Sequence, residues 1–209
     1  MKAEEVPVNL VLPESKTPRS KGIHVSAIIR ALATETGILK PEWAEDLSLT
    51  DVRTITDPTA ILRISLGLAW EDYYIPTHLG PLGVVDHPGE MHVDGVYLTH
   101  DGESLDVIIT QRKKQTVVMI HEIKCTWKSL NTVGDMTDQV LYLMQIKAYC
   151  KAAGTRFAKI HIYFVCGDYS YPIKPLLKCW LLEFTQEEID FNWQLLLDYR
   201  DHRLEMEAR

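Results

Sequence analysis

The feature that most constrains the fold is an apolar, β-branched run at residues 116–127, TVVMIHEIKCTW, which carries two opposite charges. Turn-forming residues precede it, and its composition predicts a β-strand. Because side chains alternate along a strand, Glu122 and Lys124 share one face while Ile123 takes the other. Burying a glutamate and a lysine costs free energy unless other groups compensate them. This strand therefore needs a polar or ionic site on one of its faces.

Hydrophobic spacing along the rest of the chain predicts a mixed α/β fold in which helices flank one central sheet. The predicted helices cover residues 24–36, 59–75, 137–153 and the segment that begins at 185, and the predicted strands cover 91–99, 104–110, 116–127, 159–167 and 175–184. The first three strands are expected to form a meander. Thr185 and Glu188 form a capping box at the start of the last helix. Residues 1–22 are predicted to form an extended arm, and residues 23–209 a single domain.

Composition excludes several classes of protein. The 209 residues are 46% hydrophobic and 24% charged, as is usual for a soluble globular protein. No run approaches the roughly 18 apolar residues of a membrane span, and the N-terminal residues lack the apolar region of a secretory signal. The four cysteines form no CxxC pair, so free, reduced thiols in a cytoplasmic protein are expected.

The net charge of −7 hides an uneven distribution. Residues 1–110 carry a net charge of −9, residues 111–180 carry +7, and residues 181–209 carry −5. A basic middle segment fits either a solvated face or a surface that attracts a polyanion. The acidic total therefore does not exclude a nucleic-acid partner.

The charged strand has a candidate carboxylate partner. Asp94 lies in the predicted strand 91–99 and could stand beside Glu122. Two carboxylates repel each other, and a divalent cation relieves that repulsion while it gains hard oxygen ligands. Lys124 would then orient a water molecule or neutralise charge on a phosphate. The alternative is a structural Glu–Lys ion pair, and the tripeptide E-x-K by itself does not decide between them.

Three more motifs accompany E-x-K in a fixed order. G-x-x-x-E ends at Glu71 in a predicted helix, D-G begins at Asp94, and Q-x-x-x-Y places Gln145 and Tyr149 one helical turn apart. Together the four motifs resemble the PD-(D/E)XK nuclease superfamily over roughly residues 60–165. Within it, Q-x-x-x-Y resembles the RecB-type and lambda-exonuclease (YqaJ)-like branches. The resemblance implies a restriction-endonuclease-like α/β fold.

The resemblance also implies a metal centre. Asp94, Glu122 and the backbone carbonyl of Ile123 would ligate Mg²⁺ or Mn²⁺. Glu71 would help to hold the metal or its water, and Lys124 would position or activate the attacking water. The proline of the superfamily's name is absent here, and the interval from Asp94 to Glu122 is long for the family.

DNA contacts are expected from residues that flank this centre. By the resemblance, Gln145 and Tyr149 contact the DNA backbone or order the site. Lys128, Lys147 and Lys151 are candidate phosphate contacts because they lie near the E-x-K strand or on the Q-x-x-x-Y helix.

The resemblance thus implies a metal-dependent DNA exonuclease that leaves a 5′-phosphate and acts in phage or bacterial recombination or repair. DNA, a second copy of the chain and a recombination or single-strand-annealing protein are the expected partners. In some nucleases of the superfamily that the chain resembles, four cysteines hold an iron–sulfur cluster and one of them precedes the nuclease motifs. No cysteine precedes Cys125 here, so no cluster is expected. No zinc is expected because the histidines lack metal-ligand spacing. The alternatives are a nuclease relative that binds DNA or protein without cutting, and an interaction protein whose E-x-K is structural.

Overall fold

The computed structural model describes residues 10–11, 13, 19–39, 49, 55, 57–110 and 113–207. Most of the predicted arm at residues 1–22 lies outside these ranges. The helices are α1 (Val25–Glu35), α2 (Pro58–Tyr74), α3 (Leu130–Val133), α4 (Val140–Ala153) and α5 (Gln186–Glu207). The strands are β1 (Ile23–His24), β2 (Val85–Asp86), β3 (Glu90–Val93), β4 (Val96–Thr99), β5 (Gly102–Thr110), β6 (Lys113–Thr126), β7 (Phe157–Phe164) and β8 (Leu176–Glu183).

The main sheet has five strands in the order β2-β5-β6-β7-β8. Strand β6 pairs antiparallel with β5 and parallel with β7, so the sheet is mixed. The charged segment of the sequence lies in β6, at the centre. Tyr163 of β7 aligns with Cys125 and stacks on Trp70 of α2, so α2 covers that face. The opposite face, which carries Glu122, packs against α4. The predicted mixed sheet flanked by helices is confirmed.

Residues 91–99, predicted to form one strand of this sheet, form a hairpin in a second sheet instead. Strands β3 and β4 pair antiparallel, and β1 joins them in the order β1-β4-β3. Asp94 and Gly95 make the two-residue turn, with φ of 49° and 78°. An Asp-Gly pair between alternating apolar residues favours such turns because both positions tolerate positive φ. The predicted three-strand meander is therefore wrong: only its second and third strands pair, as β5 and β6.

The core lies between the main sheet and the layer formed by α1, α4 and α5. Ile120, Ile160 and Ile162 point from β6 and β7 toward Ile146 of α4, and all four are fully buried. The predicted capping box of α5 is present, because Glu188 N donates to Thr185 Oγ1 at 3.1 Å and Thr185 N to Glu188 Oε2 at 2.8 Å. Among the described residues, no helix combines the length and apolarity that a bilayer crossing requires.

Candidate active site

The charged pair of β6 lies at the sheet's α4 face. Glu122 is 1% exposed and Lys124 is 24% exposed, and the ammonium contacts Glu122 Oε1. The other oxygen, Glu122 Oε2, is buried and has no hydrogen-bond partner among the residues that the structure describes. Burial raises the pKa of Glu122 to about 8, and the neighbouring Asp101 carboxylate adds to this effect. Burial by itself would lower the pKa of Lys124, but Glu122 and Asp101 outweigh it and raise that pKa.

Asp101 is the carboxylate that lies beside this pair. It occupies the bend between β4 and β5, and its Oδ2 accepts a hydrogen bond of 2.6 Å from the backbone N–H of Ile123. Gly102, the next residue, faces the β2 segment so closely that a Cβ there would lie 2.8 Å from Val84 Cγ1. The glycine therefore lets β5 approach β2 while the bend before it turns Asp101 toward β6.

Glu71 reaches the same site from α2. Burial and then the Asp101 charge raise the pKa of Glu71 to about 7. Its Oε1 lies 2.7 Å from His87 Nε2, and the other ring nitrogen of His87 contacts Asp86. Burial opposes protonation of His87, but the bonds and charges of Asp86 and Glu71 outweigh it and raise the pKa of the imidazole.

The main chain of His87 is also tied to the site. Its N–H donates to the carbonyl of Asp101 at 3.0 Å, and its φ is +46°. Positive φ is uncommon for a residue with a side chain and marks a position worth functional scrutiny. One residue thus contacts Glu71 through its ring and Asp101 through its backbone.

Tyr149 lies inside the protein, and Gln145 is half-buried beside it. Gln145 Nε2 donates to the Tyr149 hydroxyl at 2.6 Å, and Tyr149 is 3% exposed. Burial and the charge of Glu122 raise the pKa of Tyr149, which shows that the ring lies against the charged pair. Of the two roles implied by the resemblance, this placement fits ordering of the site.

Asp94 does not join the cluster. Its Oδ2 accepts a hydrogen bond of 2.8 Å from Trp193 Nε1, and its carbonyl accepts one from Arg200. Both partners belong to α5, so Asp94 ties the β3–β4 turn to that helix. The expectation that it stands beside Glu122 is corrected, because the turn puts it in the second sheet.

The sequence does contain a signal for Asp101. It begins a second D-G pair, 21 residues before Glu122 rather than the 28 that separate Asp94 from Glu122. The first D-G is flanked by alternating apolar residues and so carries the hairpin pattern. His87 has no comparable signal, since its role depends on the contact between a loop and α2.

The three lysines expected to contact phosphate lie in different surroundings. Lys147 is 3.8 Å from Glu188 and lies over the ring of Phe184. Lys151 is 2.6 Å from Asp190, so both lysines of α4 face α5. Lys128 is exposed, two residues beyond the end of β6.

The donor set of this site suits a hard divalent cation. Asp101, Glu122 and Glu71 supply carboxylate oxygens, the ligands that Mg²⁺ prefers. The buried, unpartnered Glu122 Oε2 has a lone pair available for a cation. Within the described ranges, no three His, Cys, Asp or Glu side chains already surround a single metal position. The Lys124 ammonium supplies the neighbouring positive charge instead.

A buried hydrogen-bonded chain crosses the opposite face of the sheet. Tyr74 OH lies 3.2 Å from His161 Nδ1, and His161 Nε2 lies 3.2 Å from His121 Nδ1. His121 Nε2 is 2.9 Å from Ser104 Oγ, which donates to Asp106 at 2.6 Å. Burial lowers the pKa of both His121 and His161 to about 4. The chain thus holds two neutral histidines beneath α2.

Comparisons with known proteins show similarity of structure. No protein-family model matches the chain, and no curated protein matches it significantly. The alkaline exonuclease LHK-Exo from Laribacter hongkongensis has a TM-score of 0.54 at 14% identity, over 90% of this chain and 92% of that chain. LHK-Exo in complex with dAMP gives a TM-score of 0.53 at 14% identity and the same coverage. A phage-related exonuclease from Haemophilus somnus 129PT gives 0.51 at 12% identity, over 89% of this chain and 96% of that one. The chain therefore has the fold of these exonucleases.

Proposed function

We propose that this chain is a metal-dependent deoxyribonuclease of the exonuclease type. The observation that carries the proposal is the convergence of Glu71, Asp101 and Glu122 on Lys124, in a chain that shares its fold with exonucleases. LHK-Exo is an alkaline exonuclease, and its structure was also solved with dAMP, a deoxynucleoside monophosphate. The Haemophilus somnus protein is a phage-related exonuclease. Phage or bacterial recombination or repair is the setting we propose.

Asp101 and Glu122, joined by the backbone carbonyl of Ile123 and assisted by Glu71, would hold Mg²⁺ or Mn²⁺. A bound cation would supply positive charge for the phosphate and acidify a water molecule. This role replaces the one expected for Asp94. It also accounts for a buried glutamate whose second oxygen has no protein partner.

The protein's own groups would orient the reactants. The Lys124 ammonium, partly exposed beside Glu122, would donate hydrogen bonds to the attacking water and to the phosphate as negative charge develops. Tyr149, held by Gln145, would limit the movement of Glu122 and Lys124. His87 would hold Glu71 and Asp101 in register. The products would be a 5′-phosphate and a 3′-hydroxyl.

A matched pair of aspartate variants tests this site. End-labelled linear DNA and closed circular DNA are incubated with Mg²⁺, Mn²⁺ or EDTA. We expect wild type and Asp94→Asn to digest linear DNA in the presence of metal and to leave circular DNA intact. Asp101→Asn, Glu122→Gln and Lys124→Ala should each lower the rate by about 100-fold or more, since each removes a charge that stabilises the transition state.

Other results would contradict the proposal in distinct ways. Cutting that survives Glu122→Gln and Lys124→Ala would overturn the site. DNA binding without cutting in either metal would show a nuclease relative that only binds. If the protein neither binds nor cuts DNA, the Glu122–Lys124 pair is a structural ion pair.

A further inference from the structure

Three aromatic side chains are exposed at one end of the main sheet. Trp127, Tyr169 and Tyr171 are 40%, 54% and 96% exposed. Trp127 directly follows β6, and the two tyrosines lie in the loop that follows β7. Because β6 and β7 are parallel neighbours, both segments leave the sheet at the same end, where the two strands have their carboxyl ends. We call these three residues the aromatic platform.

Hydrogen bonds join the two segments that carry the platform. The hydroxyl of Tyr169 donates to the carbonyl of Trp127, which joins the two segments. Behind it, Leu130 N donates to the carbonyl of Gly167 at 2.9 Å, and Tyr169 N donates to the carbonyl of Cys166 at 3.0 Å. Tyr169 has φ of +65°, a conformation that bulky residues rarely adopt. These contacts fix the positions of Trp127 and Tyr169, and Tyr171 extends from the same loop with its ring exposed.

The platform lies close to the proposed site. Trp127 follows Lys124 by three residues, which corresponds to about 10 Å between their backbones at the rise of an extended strand. Tyr142 lies between the two regions, because the pKa of its hydroxyl responds to Thr126 and to the charges of Lys124 and Glu122. At the rise of about 3.4 Å per nucleotide of a stacked strand, about 10 Å spans about three nucleotides, and an unstacked strand spans it with fewer.

The surrounding charge suits a polyanion. Lys128 and Lys174 are exposed beside the platform, on the two segments that carry it, and Asp168 is the acidic residue within the loop. Single-strand binders combine such cations with aromatic rings on which successive bases stack. Bases in an intact duplex already stack on one another, so exposed rings favour a strand whose bases are unpaired.

We propose that Trp127, Tyr169 and Tyr171 bind the unpaired bases of a DNA strand whose phosphodiester lies at the Glu122–Lys124 site. This inference rests on the proposed function for the position of that phosphodiester. It makes the substrate a DNA end with a short single-stranded stretch. The rings would hold the strand by its bases while the lysines contact its phosphates.

Binding in EDTA tests the platform without cleavage. The probes are a fluorescein-labelled oligothymidylate and an abasic oligomer of equal length, measured by anisotropy with the full chain. We expect Tyr171→Ala and Tyr171→Leu to weaken binding of oligothymidylate about 5- to 150-fold, because stacking on one base is lost. Tyr171→Phe, which keeps the ring, should bind like wild type. The abasic oligomer should bind all four proteins equally.

Phe191→Ala is the matched control, since Phe191 is an exposed aromatic residue on α5 and lies on neither segment of the platform. It should bind oligothymidylate like wild type. Circular dichroism establishes that each variant is folded. If Tyr171→Ala is not, Tyr169→Ala removes a second ring of the platform and Tyr169→Phe is its ring-retaining partner. Because Tyr169→Phe removes only the hydroxyl that bonds to Trp127, it should weaken binding less than Tyr169→Ala.

The outcomes separate this inference from the proposed function. Equal affinity of wild type and Tyr171→Ala for oligothymidylate overturns the platform, even when the protein cuts DNA. Equal affinity of wild type for the abasic oligomer and for oligothymidylate does the same. Ring-dependent binding supports the platform, even when no metal ion produces cutting.

Discussion

At the scale of single residues, His87 connects more of the site than its position in the chain indicates. Its ring lies between Glu71 and Asp86, and its backbone N–H bonds to Asp101. Groups that orient metal ligands in this way affect metal affinity without touching the metal. His87 is therefore a positioning residue of the proposed site.

Replacing His87 with alanine should weaken the apparent affinity of the site for metal while leaving the protein folded. We expect the Mn²⁺ concentration for half-maximal cleavage to rise about 10- to 100-fold, because Glu71 loses the partner that orients it. A titration of Mn²⁺ against the initial rate measures this. His92→Ala is the control, since His92 stacks on Tyr97 in the second sheet. An unchanged Mn²⁺ curve for His87→Ala would contradict the role.

At the scale of elements, the site depends on how closely β2, β5 and β6 approach one another. Gly102 permits the contact of β5 with the β2 segment, and the bend before it positions Asp101. Gly67, in the G-x-x-x-E motif of α2, has no atom of the described residues within 4 Å of the position a Cβ would take. Close packing therefore requires a glycine at position 102, whereas position 67 has room for a larger side chain.

This difference predicts opposite effects of two alanine substitutions. Gly102→Ala should destabilise the protein by about 1–3 kcal/mol through overpacking against Val84. It should also slow cleavage by about 100-fold through displacement of Asp101. Gly67→Ala should raise the free energy of unfolding by about 0.5–1 kcal/mol, since glycine inside a helix is unfavourable, and leave the cleavage rate unchanged. Urea unfolding and initial rates measure both, and equal effects at the two positions would refute the argument.

The buried histidine chain that joins β6 to β7 predicts a dependence of stability on pH. The pKa of His161 falls from about 6.5 in the unfolded chain to about 4 in the fold. Above pH 6.5 the ring is neutral in both states, so it adds no pH dependence. Between pH 6.5 and 4 only the unfolded chain takes up the proton, so the free energy of unfolding falls as pH falls.

The comparison that isolates this effect is His161→Gln against wild type. Between pH 7 and 4.5 wild type should lose about 2–3 kcal/mol more than the variant, because glutamine does not titrate. Urea unfolding at several pH values measures the difference. The buried carboxylates are present in both proteins, so their contribution to the pH dependence cancels. His202→Gln, at an exposed position of α5, should follow wild type. If the free energy of unfolding of wild type and His161→Gln depends on pH in the same way, folding does not lower the pKa of His161.

At the scale of the whole molecule, the overall charge of −7 conceals a local basic segment. The structure divides that segment further. Lys147 and Lys151 form ion pairs with α5, whereas Lys128 stands exposed beside the end of β6. DNA attraction should therefore depend on few phosphate contacts and be local.

The dependence of DNA affinity on salt tests this division. Plots of the logarithm of the association constant against the logarithm of salt concentration give the number of phosphate contacts. Lys128→Ala should reduce the slope by about 1, since one contact is lost. Lys151→Ala should leave the slope unchanged and cost less than about 1 kcal/mol of stability, as exposed ion pairs do. A reduced slope for Lys151→Ala alone would place DNA along α4 instead.

The sequence by itself determined the mixed sheet with flanking helices, the α5 capping box, and the position of Glu122 and Lys124 on one face of its strand. These depend on local periodicity and on interactions between residues a few positions apart. Gln145 and Tyr149 likewise come together because they lie one helical turn apart. Local patterns could not show, however, whether the resulting pair is buried or meets DNA.

Only the tertiary structure decided which carboxylates meet Lys124. Asp94 and Asp101 both precede glycine, and choosing between them requires knowing which strands pair. The β3–β4 turn ties Asp94 to α5, whereas the bend before β5 brings Asp101 to the backbone of Ile123. His87 and Glu71 meet because a loop with positive φ folds against α2. Contacts between segments distant in sequence arise from the packing of the whole chain, and no local pattern encodes them.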